Sequence, residues 1–221
     1  MDTAPFITTV LVPALTQGLV ITLQLIVLAA PFGLLLGIGI ALGRQYGSRG
    51  VSVLCKLYVI FVKGCPLLLL LFILYFGLPS VGITLSAFAA SVIGFILCNA
   101  AYNSEYVRGA ILSVKDGQMV AAQALGMTRQ QTIREIVLPQ ALRRAIPGLS
   151  NEFIYLIKYS SLAYMLTVIE LSGAGKLVAT KYFAYNEVFF AVGLVYLALV
   201  SITTAAVHIL EKKVAVPGLI S

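Results

Sequence analysis

The segment around which the chain is organised reads Val120-Ala121-Ala122-Gln123-Ala124-Leu125-Gly126-Met127-Thr128, followed a short distance later by Ile136-Val137-Leu138-Pro139. The residues from Gln118 to Leu125 are good helix formers. Gly126 stands where a left-handed residue would end that helix, and Thr128 with a glutamine three residues on has the pattern of a capping box. The sequence therefore predicts two short helices joined by a defined break. We call residues 118–139 the elbow; its shape suits contact with a partner protein.

Composition identifies the surroundings of the elbow as membrane-embedded. The chain has 221 residues, of which 60% are hydrophobic and 10% charged, and its mean hydropathy is +1.02. Stretches of about 20 apolar residues are long enough to cross a bilayer. We therefore predict an all-α integral membrane protein of one domain, residues 1–221, without room for a soluble enzyme domain. Five transmembrane helices are expected, over residues 18–43, 51–76, 87–107, 148–171 and 188–210, with a cytoplasmic coupling loop over 109–147.

The charge distribution predicts the orientation. The net charge is +7, but the basic residues follow the positive-inside rule and do not indicate nucleic-acid binding. Those in or beside alternate loops are Arg44, Arg49, Lys56, Arg108, Lys115, Arg129, Arg134, Arg143, Arg144, Lys212 and Lys213. The opposite loops carry only Lys176 and Lys181. The N-terminus is therefore expected outside and the C-terminus in the cytoplasm.

The elbow carries a family resemblance. Its pattern Ala-Ala-x3-Gly-x9-Ile-x-Leu-Pro resembles the EAA loop of ATP-binding-cassette importer permeases, and the surrounding residues resemble the polar amino-acid family. Val120 stands where that family usually has glutamate, so a polar anchor towards the ATPase is missing. The resemblance implies contact with the ATPase through Ala121, Ala122, Gly126, Met127, Thr128 and Pro139.

The same resemblance implies the assembly and the mechanism. It implies a type I importer permease core in a bacterial cytoplasmic (inner) membrane, translocating polar amino acids by alternating access. The chain itself needs no cofactor and is not an enzyme, because ATP and Mg would be bound by partner ATPase subunits. A second permease subunit, identical or homologous, and an extracytoplasmic solute-binding protein complete the importer. The remaining expected partners are the amino-acid substrate and the lipid bilayer.

Polar residues inside the apolar stretches mark candidate sites, since such residues are costly in a membrane. Lys63-Gly64-Cys65-Pro66 interrupts the second stretch and resembles the Arg-Gly-Thr-Pro segment of the family; a structural kink and a transport-path role are both open. Lys158, in a segment that resembles Lys-x-Ser-Ser-Leu of the family, is expected to be buried with Glu105 or Glu152, of this chain or of a second subunit, as its partner. An ion pair between Glu105 and Arg108 is also expected.

The predicted substrate site follows from the resemblance and places the ligand near mid-membrane, between the third and fourth spans. Its candidate residues include amides, hydroxyls and both charges, which suits a zwitterion. They are Asn99, Asn103, Glu105, Lys158, Ser160 and Ser161. Interhelical hydrogen bonding would explain the same polar residues without any ligand.

No catalytic or metal site is predicted. The segment Gly173-Ala174-Gly175-Lys176 has a misplaced first glycine and lacks the Ser or Thr that a phosphate loop needs, and His208 is the only histidine. An ATP-independent channel or ion-coupled carrier would explain Glu105 and Lys158 equally well, but not the capped elbow. A membrane scaffold that docks an ATPase without transport is a third hypothesis, which Val120 favours slightly.

Overall fold

The computed structural model of the protein describes residues 3–214, and these residues form a bundle of helices. A turn at Thr3–Phe6 and a π-helical turn at Ile7–Leu11 lead into α1. The α-helices that follow share the bundle or border it. They are α1 (Val12–Tyr46), α2 (Arg49–Gly64), α3 (Leu67–Phe72), α4 (Ala87–Leu112), α5 (Asp116–Ala124), α6 (Arg129–Thr132), α7 (Leu138–Tyr159), α8 (Leu171–Tyr182) and α9 (Tyr185–Val214).

Tighter or wider helical turns join several of these helices. The π-helical turn Ile73–Gly77 and the 3-10 turn Leu78–Val81 extend α3. The π-helical turn Ile133–Val137 makes α6 continuous with α7, and the 3-10 helix Ser160–Leu166 follows α7.

The centre of the bundle is the contact between α1 and α4, because small residues let the two backbones approach closely. A Cβ atom added to Gly33 would lie 2.4 Å from Oδ1 of Asn99, and one added to Gly37 would lie 2.7 Å from Cβ of Asn103. Gly33 and Gly37, both in the first span, therefore serve packing within the chain. Fully buried side chains such as Phe95 fill the adjoining core.

The second apolar stretch is broken where Lys63-Gly64-Cys65-Pro66 predicts it. Helix α2 ends at Gly64, α3 begins at Leu67, and the two directions differ by 105°. Proline disfavours the helical conformation of the residue before it, and Cys65 is extended, with φ −92° and ψ 128°. The predicted interruption is confirmed as a helix break.

Three expected boundaries differ from the structure. The first helix begins well before residue 18. Pro147 lies inside α7, which begins at Leu138 with Pro139 in its first turn, and so does not open a helix. The segment from Ser172 to Glu187, expected to be a loop, is largely helical. Glu170 caps the start of α8, and the buried side chains of Val178 and Ala179 hold one side of this helix against the bundle. The hydrophobic pattern around Gly173 and Gly175 is short, so the sequence did not predict this helix.

Between three and five segments can cross a membrane. Three described helices are long and apolar enough by themselves, namely Ile7–Tyr46, Ala87–Leu112 and Tyr185–Lys213. Two bent pairs pass the same test together, Arg49–Gly64 with Leu67–Val81 and Arg129–Leu166 with Leu171–Tyr182. The predicted count of five requires each bent pair to be one span.

Candidate functional site

The two asparagines of the predicted substrate site lie together in the middle of α4, but they are buried against α1. Nδ2 of Asn103 donates a hydrogen bond of 2.7 Å to Oδ1 of Asn99. Nδ2 of Asn99 in turn reaches Oε1 of Glu152 on α7 at 3.5 Å. Oδ1 of Asn103 has no hydrogen-bond partner among the described residues, although it is buried. The pair thus forms a polar seam between three helices and leaves one acceptor unused.

Glu105 lies apart from this seam, at the end of α4 near the elbow. One carboxylate oxygen accepts a short hydrogen bond from Arg44 on α1, and the other accepts bonds of 3.1 and 2.8 Å from Arg108. The expected pair with Arg108 is confirmed. Arg44 was not anticipated as a partner, because it is 61 positions away in sequence.

Lys158 is exposed on the surface of the chain, so the expectation that it is buried beside Glu105 or Glu152 of the same chain is wrong. Its Nζ lies 5.0 Å from the ring centroid of Tyr155, one helical turn earlier. Stacking on an aromatic face stabilises a cation without an anionic partner. The ammonium group consequently remains available at the surface.

The two serines do not offer their hydroxyl protons to a ligand in this conformation. Oγ of Ser160 donates to the carbonyl of Ile157 at 2.7 Å, and Oγ of Ser161 donates to the carbonyl of Lys158 at 2.8 Å. Both bonds return to the backbone at the end of α7. The structure therefore brings Asn99 and Asn103 together, places Lys158 on an exposed face, and separates Glu105 and the serine hydroxyls from them.

A second exposed lysine and a buried carboxylate extend the candidate site. Lys63, also exposed, has its Nζ 5.2 Å from the ring centroid of Tyr102 on α4. It is close enough to attract the carboxylate of Glu152 electrostatically. Glu152 is only 3% exposed and accepts a further bond of 3.4 Å from Tyr159. Lys63 could be identified from the sequence as a candidate site residue, because it stands next to the predicted helix break. Glu152 was considered only as an ion-pair partner of Lys158.

A buried carboxylate at the start of α8 was missed altogether. The Glu170 side chain is fully buried and accepts bonds of 2.9 Å from the backbone N–H groups of Ser172 and Gly173, which makes it the N-cap of α8. It also accepts from the hydroxyl of Tyr196 at 2.9 Å and from that of Thr22 at 3.4 Å. This junction fastens α8 to α1 and α9. The signal was a glutamate preceding Ser-Gly in an apolar segment, which fits an N-cap.

The elbow has the local structure that its sequence predicts. Gly126 has φ +84°; its N–H bonds to the carbonyl of Gln123 at 2.9 Å, and the N–H of Met127 bonds to that of Ala122 at 3.1 Å. These two bonds constitute a Schellman motif. Thr128 and Gln131 then form the capping box in both directions. The helix–cap–helix prediction is confirmed.

The elbow exposes two large apolar side chains. Val120 is 66% exposed and Leu125 is 85% exposed. Among the predicted coupling residues, Ala121, Gly126, Thr128 and Pro139 are exposed, Met127 is half-buried and Ala122 is buried. Ala122 therefore holds the elbow together and does not present a surface.

Polar contacts fix the elbow to the helix ends. Arg144 on α7 donates to the carbonyl and, at 3.0 Å, to the hydroxyl of Ser113 after α4. The guanidinium of Arg129 lies 5.8 Å from the ring centroid of Tyr46 at the end of α1. Arg129 therefore connects the elbow to α1, and Gln140 on α7 donates a hydrogen bond of 3.1 Å to Gln118 of the elbow, while the Arg144–Ser113 contact joins α7 to the end of α4.

The described residues offer no group of three His, Cys, Asp or Glu side chains that could hold a metal ion. Residues 173–176 lie within α8, where Gly173 and Gly175 are buried. Lys176 extends to the ring of Tyr185, at 5.0 Å from its centroid.

Comparison with known proteins gives consistent matches along nearly the whole chain. Residues 33–216 match the family described as binding-protein-dependent transport system inner membrane component. The chain is 42% identical over 203 residues to a probable amino-acid ABC transporter permease of Bacillus subtilis strain 168, covering 92% of this chain and 90% of that one. It is 37% identical over 210 residues to an L-cystine transport system permease of the same organism, covering 92% and 88%.

A solved structure agrees with the fold. The crystal structure of an amino acid ABC transporter with histidines has a chain that superposes with a TM-score of 0.88 at 28% identity, covering 96% of this chain and 99% of that chain.

These matches confirm the predicted family, the all-helical type I importer permease fold and the role of a permease subunit as distinct from the ATPase. The chain belongs to the family of binding-protein-dependent transport system inner membrane components, as a multi-pass inner-membrane permease subunit of an ATP-binding-cassette importer.

Proposed function

We propose that the chain carries polar amino acids across the membrane in five spans, with the N-terminus outside and the elbow and C-terminus in the cytoplasm. The names of the relatives, among them an amino-acid and an L-cystine permease, support this substrate class. The basic residues near the elbow support the orientation.

The observation that carries the coupling role is the exposure of Leu125 and Val120 on a rigidly capped elbow. Large apolar side chains on a water-exposed projection indicate a contact surface for a partner. We assign that partner as the ATPase subunit, which would hold ATP and Mg, while this chain binds neither. Because Val120 replaces the usual glutamate, the contact is expected to depend on apolar burial more than on a charge.

The exposed lysines support a second permease subunit. Lys63 follows Arg49 by 14 residues, and Lys158 follows Arg144 by 14 residues, so each lies about 21 Å along its helix from the basic end. The hydrocarbon core of a bilayer is about 30 Å thick, which places both ammonium groups inside it. Charged side chains at such depth face a bundle interior or a water-filled cavity and not lipid. The face that bears them is therefore assigned to the contact with the second subunit and to the solute path between the two.

Within this path we assign substrate contact to Lys158 and Lys63, and to the Asn99–Asn103–Glu152 seam. An ammonium group attracts the substrate carboxylate, and the seam offers acceptors to the substrate amino group once α1, α4 and α7 shift. Glu105, Ser160 and Ser161, also candidates from sequence, are given structural roles here, because each is occupied by contacts within the chain. An external solute-binding protein delivers the substrate from outside.

The test is ATP-driven uptake of a panel of labelled amino acids into proteoliposomes containing this chain, its ATPase and its binding protein. Leu125→Ser should weaken co-purification of the ATPase and reduce uptake, because it removes an apolar contact. The matched control is Leu210→Ser, an equally apolar exposed position (53% exposed) near the end of α9, which should change neither. Uptake that proceeds without any ATPase would contradict the coupling role, and co-purification without uptake of any amino acid would contradict the substrate class.

A further inference from the structure

The corner between α8 and α9, residues 181–185, exposes an aromatic ring on unfavourable backbone. Helix α8 ends at Tyr182, and the next residue, Phe183, has φ 54° and ψ 27°. This left-handed conformation is unfavourable for a residue with a Cβ atom. The Phe183 side chain is nevertheless 87% exposed, so packing within the chain does not offset the strain of the backbone. The ring is therefore available for a contact outside the chain.

Two lysines lie over aromatic rings at the same corner. Nζ of Lys181 is 5.5 Å from the ring centroid of Tyr182, and Nζ of Lys176 is 5.0 Å from that of Tyr185. Neither lysine forms an ion pair among the described residues, although Glu187 is exposed in the first turn of α9. Contact with a ring face leaves the ammonium N–H groups able to donate to an anion. The corner therefore offers two cations to a negatively charged group.

The length of α9 places this corner at the level of lipid headgroups. The charged residues at positions 211–213 mark the membrane surface at the far end of the helix. At about 1.5 Å per residue, the roughly 30 Å of the hydrocarbon core extends from there to Phe190. Tyr185 lies five residues earlier, roughly 7 Å beyond the core, and the headgroup layer on each side of a bilayer is about 5–7 Å thick. Because Lys176 rests on Tyr185, it lies at the same level.

The exposed aromatic residues continue from the corner onto the apolar surface of α9. The rings of Tyr185 and Phe189, one turn apart, are stacked with centroids separated by 6.4 Å and an interplanar angle of 22°. Phe190 is 71% exposed. The most apolar stretch of this helix is only 11% buried within the described residues, so most of its circumference is available to acyl chains. The corner thus joins a polar, cationic level to a lipid-facing apolar one.

We propose that the corner between α8 and α9, together with Lys176, binds the headgroup of an anionic phospholipid. The two lysines attract the phosphate, and the rings of Phe183 and Tyr185 lie at the interface, where aromatic side chains are favoured. The acyl chains follow Phe189 and Phe190. An acidic protein surface would suit the same cations, but the depth of the corner and its continuity with α9 favour a lipid. The inference goes beyond transport and holds whichever solute the permease carries.

The first test measures the depth of the corner by fluorescence. The sequence contains no tryptophan, so Phe183→Trp introduces a single reporter into the full chain, which is reconstituted into phosphatidylcholine vesicles. Lipids brominated near the carbonyl end of their chains should quench this tryptophan more than lipids brominated near the methyl end. Phe190→Trp, which lies deeper, should be quenched by both. Leu125→Trp on the elbow, at a position with 85% exposure, is the matched control and should be quenched by neither.

Two outcomes of this measurement would overturn the proposal. One is unquenched emission from Phe183→Trp in vesicles where Phe190→Trp is quenched, because the corner would then lie in water. The other is an emission shift of unquenched Phe183→Trp on addition of the solute-binding protein, which would identify the corner as a protein-docking surface.

The second test measures selectivity for the headgroup. Brominated phosphatidylglycerol, as a minor component of phosphatidylcholine vesicles, should quench Phe183→Trp with an apparent affinity about fivefold above that of brominated phosphatidylcholine, the ratio for about 1 kcal/mol from a lysine near an anionic surface. Lys176→Gln combined with Lys181→Gln should reduce the ratio to about one. Lys212→Gln, at the opposite end of α9, should leave it unchanged.

Equal affinity for the two lipids in the Phe183→Trp protein would overturn the headgroup site, and so would a ratio that persists in the double lysine variant. Quenching of Phe190→Trp in the same lysine background verifies that the double variant is inserted in the membrane. If it is not inserted, the ratio measured with both lysines present decides the outcome.

Discussion

Replacement of Gly126 by alanine isolates the conformational contribution of one residue to the elbow. Gly126 has φ +84°, and a Cβ atom at this position would meet no atom within 4 Å. The cost of Gly126→Ala is therefore the left-handed backbone of a residue with a Cβ, roughly 1–2 kcal/mol. A cost of that size lowers the ratio of closed to opened elbow by a factor of roughly 5–30. The bonds that open are those of Gly126 and Met127 to the preceding turn.

The assay is amide hydrogen exchange of peptides that span residues 120–128, measured on the purified protein in detergent. Exchange should accelerate by roughly the same factor of 5–30 if it proceeds through opening of the cap. Gly117→Ala is the matched control: it lies in α5 with an ordinary φ and also has no atom within 4 Å of an added Cβ. That variant should exchange no faster, because alanine favours a helix over glycine by up to roughly 1 kcal/mol. Equal protection in Gly126→Ala and the parent protein would refute the reasoning that the left-handed cap holds the elbow closed.

Three further outcomes test the packing and the site. Gly33→Ala should lower the thermal midpoint in detergent by the equivalent of about 1–3 kcal/mol, because its Cβ would overlap Asn99; Gly39→Ala on the same helix, where an added Cβ meets no atom within 4 Å, should not. Glu170→Ala should destabilise the protein by at least about 2 kcal/mol, since it leaves buried donors unpaired; a midpoint unchanged from the parent would show that the junction is replaceable. Lys158→Met should reduce uptake of acidic and neutral amino acids alike by about tenfold, a loss of about 1.4 kcal/mol, because both carry the α-carboxylate; uptake unchanged from the parent would remove Lys158 from the carboxylate contact.

The features that could be predicted from the sequence are those set by neighbouring residues. The left-handed Gly126, the capping box at Thr128 and the break before Pro66 each depend on fewer than ten consecutive positions. The Glu105–Arg108 pair is likewise a matter of one helical turn. Such local geometry is set by backbone preferences and by hydrogen bonds between residues close in sequence. These predictions therefore hold in the folded chain.

The partners of the intramembrane charges could not be predicted in this way. Arg44 reaches Glu105 across 61 positions, and Thr22 reaches Glu170 across 148. Only the packing of α1 against α4 and α8 brings these residues together, and nothing in the adjacent sequence specifies it. Lys158 was expected to be buried because it stands in an apolar segment, where a cation is costly. Its exposed position is explained if this surface contacts a second subunit or a water-filled path.

The polar groups within the apolar helices fall into two classes with different consequences for movement. Glu170 and Glu105 are saturated by donors within the subunit and tie α1 to α8, α9 and α4. Breaking such a junction would strand a charge in a medium of low dielectric constant, so these helices are expected to move together. Lys63 and Lys158 each lie over an aromatic ring, and neither forms an ion pair among the described residues, so each loses little when a neighbouring helix moves away. In the proposed alternating access, these tied helices are therefore expected to move as one unit, with Arg129 linking the elbow to α1.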